Sequence, residues 1–510
     1  MTRDSTRCPA PFNMAAHVLQ HAERLQDKPA LIIAKRDQPA EIWRYSQLEQ
    51  AIRGTATGLL QQGLRPGERI LMRLGNTVEF PLTFLAALAI GAVPVPTSAA
   101  LTEPEVQRII RELAPALIVA APNVPCPTRA DCPVDCPIVQ TSRLEQFHAL
   151  PPADYDFGDP DRLGYIIYTS GTSGKPMAVC HAHRAVWARR MMWQGWYGLG
   201  PDDRMLHAGA FNWTYTLGTG LMDPWSAGAT AIVPAPGSRS EDLPELMKTH
   251  GASIFAAAPG VYRQMLKTCN KLTLPDLRHG LSAGEKLPDL TRRKWADATG
   301  TPIYEAFGMS ECSTFISGSP ARPAPEGTLG FPQPGRHVAI VDKNGTPLEP
   351  GGEGTIAIHR SDPGLMLGYW QAETETRARF CGDWFLTGDS GLLCPDGAIR
   401  YMGRTDDMMN AGGYRVSPIE VEQALCTHPE ITEAAAVEVA VKQGVTVIAA
   451  FYSGPAALDD AALSHYIASR LARYKQPRIY CHVTELPKGA NGKLLRRHLR
   501  QQFEADHDTA

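Results

Sequence analysis

Helix-like and strand-like segments alternate over residues 1–400 of the chain. The segment "YSQLEQAIRGTATGLLQQGL" has the period of an amphipathic helix that ends at Gly63, and "RPGERILMRL" follows it as a turn and a strand. A second such unit begins at Thr102, which is placed to cap a helix that Pro115 ends before an apolar strand. This alternation predicts an α/β fold with mainly parallel sheet.

The sequence pattern changes near residue 325 and again near residue 406. Residues 325–400 carry short β segments separated by glycine, proline and an Asn-Gly turn, which predicts a small antiparallel or barrel-like subdomain. The segment "GRTDDMMNAGGYRV" is polar and contains glycines, as a hinge would, and a mixed α and β pattern follows it. We predict a large N-terminal domain, 1–405, of two α/β lobes plus the β-rich subdomain. The hinge joins it to a smaller, mobile α+β domain, 406–510, whose last residues, 501–510, are expected to fray.

Charge and hydropathy narrow the choice of partner and compartment. The formal net charge of −3 provides no basic field for nucleic acid. The longest apolar run, 82–96, is too short for a membrane span and is broken by Pro94 and Pro96. The N-terminal residues lack the apolar core of a signal peptide, and the 11 cysteines are odd in number and scattered, which suits a reducing compartment. We therefore expect a cytoplasmic protein.

Three cysteines lie close together in "PCPTRADCPVDCP". Cys126, Cys132 and Cys136 could supply a partial metal site, but their spacing contains no CxxC pair. Prolines and charged residues fill the gaps. We interpret the segment as a surface loop with free thiols.

The string "TSGTSGKP" follows an apolar strand-like segment and has the composition of a phosphate loop. A Walker A loop requires glycine where this chain has Thr169, and serine or threonine where it has Pro176. The Walker interpretation therefore fails at both positions. Backbone N–H groups, hydroxyls and one lysine can still hold phosphate oxygens. The predicted loop consists of Thr169, Ser170, Gly171, Thr172, Ser173, Gly174 and Lys175.

This string resembles the phosphate loop of the adenylate-forming superfamily, which includes acyl-CoA synthetases, peptide-synthetase adenylation domains and luciferases. Other family-like motifs occur in the expected order up to residue 497, so the resemblance covers almost the whole chain. In "YEAFGMSECSTF" the resemblance implies that Phe307 stacks on adenine, Glu305 lies near the adenine amino group and Ser310 touches phosphate. Glu311 would bind Mg²⁺, a cation that prefers oxygen ligands. The same implied nucleotide site includes Ala283, Gly284 and Glu285 of "LSAGEKLP", together with Ala306 and Gly308.

Three later motifs also resemble the family. "FLTGDSGLL" implies that Asp389 holds the ribose hydroxyls, and Arg404 of "YMGRTDD" would reach ribose or phosphate. The resemblance makes Asp406 the hinge residue. It places CoA near Gly413 and Arg415.

The last of these motifs, "LPKGANGKLLRR", implies that Lys493 bridges the substrate carboxylate and the α-phosphate. Lys493, Glu311 and Arg404 would therefore be the catalytic residues. Many family members carry lysine where this chain has Asn410, so no role of that lysine is transferred.

The segment 207–230 resembles the acyl-pocket region of benzoate-type CoA ligases, above all in "YTLGTGL". Trp213, Tyr215 and Phe315 could line a compact aromatic pocket, with ordinary core packing as the alternative. Such a pocket favours an aromatic or other short, compact acid. Asn212, Trp213 and Cys312 depart from the benzoate-like strings and leave open a different ring, a cinnamate-like acid or an aliphatic acid.

The resemblance implies an AMP-forming carboxylate–CoA ligase that uses ATP, Mg²⁺ and CoA. A carboxylate is a poor electrophile, and transfer of AMP from ATP gives it a good leaving group. No serine-bearing carrier site follows Lys493, which favours free CoA, while loading of a separate carrier protein stays open. A P-loop ATPase or kinase would release ADP, and the broken Walker pattern argues against it. Homodimerisation also stays open.

Overall fold

A computed structural model describes residues 7–128, 132, 136–169, 176–268, 271–405, 407–411, 414–442, 445–489 and 494–507. By their internal contacts the residues form two compact units. The larger unit comprises Met1–Pro325, Leu329–His337 and Arg360–Arg379. The smaller unit comprises Glu326–Thr328, Val338–His359 and Phe380–Ala510. The boundary expected between 405 and 406 stays a prediction.

The described strands are, in chain order, β1 Pro29–Ala34, β2 Glu41–Arg44, β3 Arg69–Arg73, β4 Val93–Pro96, β5 Leu117–Ala120, β6 Ile138–Gln140, β7 Leu163–Tyr168, β8 Ala178–Ala182, β9 Arg204–Ala208, β10 Thr230–Pro234, β11 Ile254–Ala257, β12 His279–Ser282, β13 Ile303–Met309, β14 Ser313–Ser317, β15 Phe331–Pro332, β16 Val338–Val341, β17 Glu353–His359, β18 Gly368–Tyr369, β19 Phe380–Cys381, β20 Trp384–Leu393, β21 Ile399–Arg404, β22 Met409–Ala411, β23 Tyr414–Val416, β24 Glu433–Lys442, β25 Val445–Ser453 and β26 Ile479–His482.

The described helices are α1 Met14–Val18, α2 Tyr45–Gln61, α3 Glu79–Ala89, α4 Glu103–Leu113, α5 Thr141–Phe147, α6 Ala185–Arg189, α7 Asp223–Ala227, α8 Leu243–Thr249, α9 Pro259–Thr268, α10 Asp289–Thr299, α11 Glu373–Ala378, α12 Pro418–Leu425, α13 Asp460–Ala468 and α14 Arg496–His507. Two segments are π-helical, Trp193–Tyr197 and Thr216–Met222, and Arg473–Lys475 forms a 3₁₀ turn.

The residues that the sequence marked as helix ends lie at the observed ends of helices. Thr102 caps α4: its backbone N–H donates to Glu105 Oε2 over 2.8 Å, and its hydroxyl donates to the same oxygen. The helix ends at Leu113, before Ala114 in the left-handed region. Gly63, with φ +93°, follows α2. The helix and strand pattern predicted for these segments is confirmed.

The larger unit contains most of the parallel sheet. One sheet has four parallel strands in the order β4-β3-β5-β6. A nine-stranded sheet has the order β15-β14-β13-β12-β11-β9-β10-β1-β2, parallel from β13 to β1 and antiparallel at both ends. A third sheet, β18-β8-β7, is antiparallel. The predicted mainly parallel α/β architecture is confirmed.

The smaller unit contains antiparallel sheet followed by mixed α and β structure. Strands β16, β17, β20 and β19 pair in that order, and β21 pairs with β20. After α12 the strands β24 and β25 pair antiparallel, and β26 is parallel to β25. The prediction that residues 501–510 fray was wrong for 501–507, because α14 continues to His507. Leu499 and Phe503 of this helix are buried in one cluster with residues of β24 and β25.

Among the described residues, no helix combines the length and the apolar character needed to cross a bilayer.

Candidate functional site

The predicted phosphate loop lies between the antiparallel strands β7 and β8. The two strands pair up to Tyr168 and Ala178. Just beyond them the backbone N–H of Thr169 donates to Met177 O over 2.9 Å. The other predicted loop residues lie outside the described part of the chain: Ser170, Gly171, Thr172, Ser173, Gly174 and Lys175.

The β13–β14 hairpin carries the motif predicted to hold adenine, phosphate and magnesium. Its register shifts between Phe307 and Gly308. A Cβ added to Gly308 would lie 2.4 Å from the carbonyl oxygen of Ser313, so only glycine lets the two backbones approach this closely. Phe307 is partly exposed, Ala306 is buried, and the Phe307 ring contacts Phe315 edge-to-face at 5.4 Å.

Ser313, the first residue of β14, has a left-handed backbone with φ +61°. This region costs a non-glycine residue about 1–2 kcal/mol, so neighbouring contacts must hold it. Arg336 supplies such contacts on either side of Ser313. Its Nη1 donates to Thr314 O over 2.8 Å and its Nη2 donates to Cys312 O over 3.1 Å. Asp362 pairs with this fully buried guanidinium at 3.0 Å.

Glu311 lies in the turn of this hairpin and is 9% exposed. The hydroxyl of Tyr369 donates to Glu311 Oε1 over 2.8 Å, and burial together with this carboxylate raises the pKa of Tyr369. Among the described residues, Glu311 Oε2 accepts no hydrogen bond. Its oxygen chemistry therefore fits a hard divalent cation. Sequence reasoning missed Tyr369, and the aromatic pair in "LGYW" was the available signal.

The carboxylate of Glu305 is already engaged by protein groups. It accepts a hydrogen bond from the backbone N–H of Leu287 at 2.8 Å and another from Arg292 at 2.8 Å. Burial raises the pKa of Glu305. These contacts position the segment between β12 and α10, and contact with adenine stays a prediction.

The "LSAGEKLP" segment lies against Trp213, which with Tyr215 forms the predicted aromatic wall of the acyl pocket, called here the acyl wall. Gly284 has φ +97°, and a Cβ added there would lie 2.5 Å from Trp213 Cζ2. Only glycine therefore combines this backbone with close packing of the indole. Ala283 is buried, and Glu285 Oε1 lies 4.0 Å from an Arg263 nitrogen.

Two of the three predicted pocket aromatics lie against each other. The rings of Trp213 and Tyr215 contact edge-to-face at 5.1 Å. Tyr215 is buried, and its hydroxyl donates to Leu281 O over 3.1 Å. Trp213 is partly exposed, whereas Phe315 is fully buried.

In the smaller unit the structure brings together Asp389 and Arg404, which are register partners on β20 and β21. Arg404 Nη1 lies 3.4 Å from Asp389 Oδ2. The hydroxyl of Tyr401 donates to Asp389 Oδ1 over 2.9 Å, and burial together with this carboxylate raises the pKa of Tyr401. Tyr401 was also not among the predicted site residues. Its position in the alternating side-chain pattern of β21 was the available signal.

The remaining predicted residues of the smaller unit are not all described. Asp406, Gly413 and Lys493 lie outside the described residues, as does the side chain of Arg415, whose backbone is part of β23.

Arg496, near the predicted lysine, connects two parts of this unit. It donates to Glu422 at 2.8 and 2.9 Å and to Asp407 at 3.3 Å.

In the segment with the three cysteines, Cys132 Sγ lies 3.9 Å from Cys136 Sγ. Cys136 is buried in an apolar cluster against which Cys126 and Cys132 pack, so the interpretation as a surface loop was wrong for Cys136. Across the described part of the chain, no group of three or more His, Cys, Asp or Glu side chains is arranged to hold a metal ion.

Comparison with known proteins gives matches along nearly the whole chain. The family model described as "AMP-binding enzyme" matches residues 18–370, and that of the "AMP-binding enzyme C-terminal domain" matches 420–493. A 3-hydroxybenzoate–CoA ligase of Aromatoleum sp. (strain CIB) is 30% identical, covering 98% of this chain and 99% of that protein. A benzoate–CoA ligase of Thauera aromatica is also 30% identical, covering 86% of each chain. The crystal structure of a benzoate CoA ligase from Burkholderia xenovorans LB400 superposes with a TM-score of 0.84 at 30% identity, covering 96% of this chain and 100% of that one.

Proposed function

The chain belongs to the AMP-binding enzyme family, and on that premise we propose that it is an AMP-forming ligase that joins an aromatic carboxylic acid to CoA. In the first step a carboxylate oxygen attacks the α-phosphorus of ATP, and pyrophosphate leaves. In the second step the CoA thiol attacks the acyl carbon of the adenylate. AMP and one proton leave with formation of the thioester.

We assign the phosphate end of the reaction to the β13–β14 hairpin. Phe307 stacks on adenine, Ser310 contacts phosphate and Glu311 holds Mg²⁺. Glu311 Oε2 accepts no hydrogen bond from the described residues, which supports this role, and the hydrogen bond from Tyr369 fixes the carboxylate. When bound, the cation supplies positive charge near the phosphate oxygens. Ser170–Lys175 hold the phosphates that leave as pyrophosphate.

We assign the ribose and acyl-transfer roles to the smaller unit. Asp389 accepts hydrogen bonds from the ribose hydroxyls, and Arg404 beside it orients that carboxylate. Lys493 neutralises charge between the substrate carboxylate and the α-phosphate during adenylation. The chain then turns about Asp406 and brings Gly413 and Arg415 to CoA for thioester formation.

One observation carries the assignment of an aromatic acid. The Trp213 indole packs on Gly284 and meets the Tyr215 ring at right angles, so two large aromatic surfaces adjoin the predicted adenine segment. Flat aromatic walls match a flat ring, because edge-to-face and offset contacts stabilise aromatic pairs. A long alkyl chain gains no such contact.

The test is product formation from a panel of benzoates, cinnamates and C2–C10 acids, with and without CoA. We expect AMP, pyrophosphate and acyl-CoA in equal amounts with a benzoate-class acid. ADP as the product, or no CoA-dependent turnover of any aromatic acid, would contradict the proposal. Adenylation without thioester formation would instead favour loading of a separate carrier protein.

A further inference from the structure

A small polar cavity in the larger unit lies next to the predicted acyl wall. Its volume is about 10 Å³, which is space for one water molecule or one small polar group. Its lining includes Thr214, which separates Trp213 from Tyr215 in the sequence. It also includes Ser313, which lies in the sequence between Glu311 and Phe315. The full polar lining is Tyr165, His181, Arg189, Thr214, Ser310 and Ser313.

The Arg189 guanidinium forms one wall of this cavity and is fixed from behind by Asp223. Nε donates to Asp223 Oδ1 over 2.9 Å and Nη2 donates to Oδ2 over 2.6 Å. Both side chains are buried. Burial opposes the charge of Arg189, but the Asp223 carboxylate outweighs it and raises the pKa of the guanidinium. Arg189 is therefore a charged donor held in one orientation.

The chain makes room for this guanidinium at Gly218 in the π-helical segment. A Cβ added to Gly218 would lie 2.1 Å from Arg189 Cζ. Any larger residue would displace the guanidinium from its position. The arginine, its carboxylate partner and the glycine together form a built site.

Arg189 has donor capacity left over at the cavity. Nη1 donates to the hydroxyl oxygen of Ser313. Nη1 carries two hydrogens, and the described residues offer no acceptor for the second. The Ser313 hydroxyl accepts from Arg189, and its own hydrogen also has no acceptor among the described residues. This wall therefore presents hydrogen-bond donors.

His181 places an acceptor at the same cavity. Its Nε2 lies 2.8 Å from the carbonyl oxygen of Ser310, which can only accept, so Nε2 carries the hydrogen. Burial lowers the pKa of His181 to about 4, so the ring is neutral at neutral pH. Nδ1 then has a lone pair, is buried and has no partner among the described residues. The ring is fixed by stacking on Tyr165 at 4.7 Å.

We propose that this cavity binds a hydroxyl substituent on the ring of the aromatic acid, with the hydroxyl oxygen accepting from Arg189 and Ser313 and its hydrogen donated to His181 Nδ1. This inference rests on the proposed function, because it assumes an aromatic acid beside Trp213 and Tyr215. It narrows the substrate class from benzoates to hydroxybenzoates. Arg189, Ser313 and His181 act as specificity-determining residues.

The donor and acceptor pattern discriminates among substituents. A carboxylate cannot donate to His181 Nδ1, and Asp223 already neutralises the arginine. An amino group attached to an aromatic ring is a poor acceptor for Arg189. A methyl group or an unsubstituted ring leaves a charged donor and an imidazole acceptor without partners, which is unfavourable in a buried site.

The first test compares kcat/KM of the wild-type protein for benzoate, the three hydroxybenzoates, 3-aminobenzoate and 3-methylbenzoate. We expect at least one hydroxybenzoate to exceed benzoate on the order of 10–100-fold, the scale of hydrogen bonds from a charged donor. Turnover of benzoate equal to or better than that of every hydroxybenzoate would overturn the inference and leave the proposed function intact. No turnover of any aromatic acid would instead remove the proposed function.

The second test uses two variants at the cavity. His181→Gln places a side-chain N–H near the position of Nε2, keeping the bond to Ser310, and provides no acceptor at Nδ1. Ser313→Ala removes the bridging hydroxyl and keeps the Arg189–Asp223 pair. We expect each to reduce the ratio of kcat/KM for the preferred hydroxybenzoate to that for benzoate by about 10-fold, mainly through KM for the hydroxybenzoate.

Ser317→Ala is the matched control on the same strand. The Ser317 hydroxyl donates to Gly195 O over 2.8 Å and lies outside the cavity lining. For this variant, the ratio of kcat/KM for the preferred hydroxybenzoate to that for benzoate should equal the wild-type ratio. If His181→Gln and Ser313→Ala lower kcat/KM for all acids equally, the cavity holds a structural water only and the inference is wrong. If neither variant folds, the wild-type panel decides alone.

Discussion

The Trp213 indole and Gly284 approach so closely that a Cβ on the glycine would lie 2.5 Å from the ring. Gly284→Ala should therefore displace the indole and raise KM for the aromatic acid by about 10-fold or more, because overpacking moves side chains from their positions. The left-handed backbone alone should cost about 1–2 kcal/mol of stability. Steady-state kinetics and urea unfolding measure the two effects.

Gly237→Ala is the control for backbone strain. Gly237 also has a left-handed backbone, with φ +84°, but no atom lies within 4 Å of its added Cβ. Gly237→Ala should lower the free energy of unfolding by a similar amount and leave KM for the aromatic acid unchanged. An equal rise of KM in both variants would mean that Trp213 does not form the acyl wall.

The hydroxyl of Tyr369 should matter mainly through magnesium. Tyr369→Phe leaves Glu311 without its donor, and a hydrogen bond to a charged group contributes about 1.5–3 kcal/mol. We expect the half-saturating Mg²⁺ concentration to rise by about 10-fold, the scale of a ligand's supporting contact. A titration of adenylation rate against Mg²⁺ at saturating ATP measures this.

Tyr155→Phe removes the same kind of contact elsewhere, since the Tyr155 hydroxyl donates to Glu49 Oε1 over 3.2 Å. Its Mg²⁺ titration should match that of the wild type. Identical curves for Tyr369→Phe and the wild type would exclude Glu311 as a magnesium ligand supported by Tyr369.

Lys493→Ala should lower the rate of adenylation on the order of 10²–10³, the scale of one preorganised charged donor. Thioester formation from preformed acyl adenylate should persist, because the proposed role belongs to the first step. Single-turnover assays separate the two half-reactions. Lys488→Ala is the control on the same segment, because Lys488 pairs with Glu433 at 2.8 Å and should spare both steps. If Lys493→Ala slowed both half-reactions equally, the assignment of Lys493 to the adenylation step would be wrong.

The larger unit should lose stability in mild acid because of four buried histidines. Burial lowers the pKa values of His181 and His279 to about 4, and those of His183 and His207 to about 3. The unfolded chain binds protons near pH 6.5, so stability is complete above that pH and is lost as the pH falls toward 4. Each histidine contributes up to about 1.4 kcal/mol per pH unit over this interval.

Urea unfolding at pH 7.0 and pH 5.5 tests this, with tryptophan fluorescence as the signal. Eight of the nine tryptophans belong to the larger unit. Burial raises the pKa values of Glu305 and Asp223, so these two carboxylates contribute the opposite pH dependence, whereas exposed carboxylates titrate near 4, below this interval. His207→Leu should make the unfolding free energy less dependent on pH by about one histidine's contribution. A free energy independent of pH in the wild type would contradict the prediction.

The sequence predicted those features that depend on neighbouring residues. Thr102 and Gly63 mark helix ends because capping and left-handed backbone are local properties. The alternation of helices and strands was also predictable, because it depends on the local pattern of apolar and polar residues. The error at the C-terminus had a readable signal, since Leu499 and Phe503 are four residues apart and form one face of a helix.

The site contacts could not be predicted in the same way, because they join distant residues. The sequence gives no distance between Tyr369 and Glu311, or between Trp213 and Gly284. Resemblance indicated Glu311 and Gly284 by motif. Trp213 was also predicted, but its contact with Gly284, and the contact of Tyr369 with Glu311, required the structure. Arg189 and Asp223 were also missed, although the arginines in the apolar stretch "AVWARRMMW" and the aspartate in "LMDPW" were a signal for a buried pair.

The contact between Arg189 and Gly218 restricts the order in which this protein can change its substrate. A side chain at position 218 is tolerated only after the guanidinium has been removed, and removing the guanidinium alone leaves Asp223 buried without its partner. Replacement of Gly218 or of Arg189 alone should therefore destabilise the protein. Random mutagenesis one residue at a time should leave these positions unchanged, and libraries that vary 189, 218 and 223 together are the route to new acids.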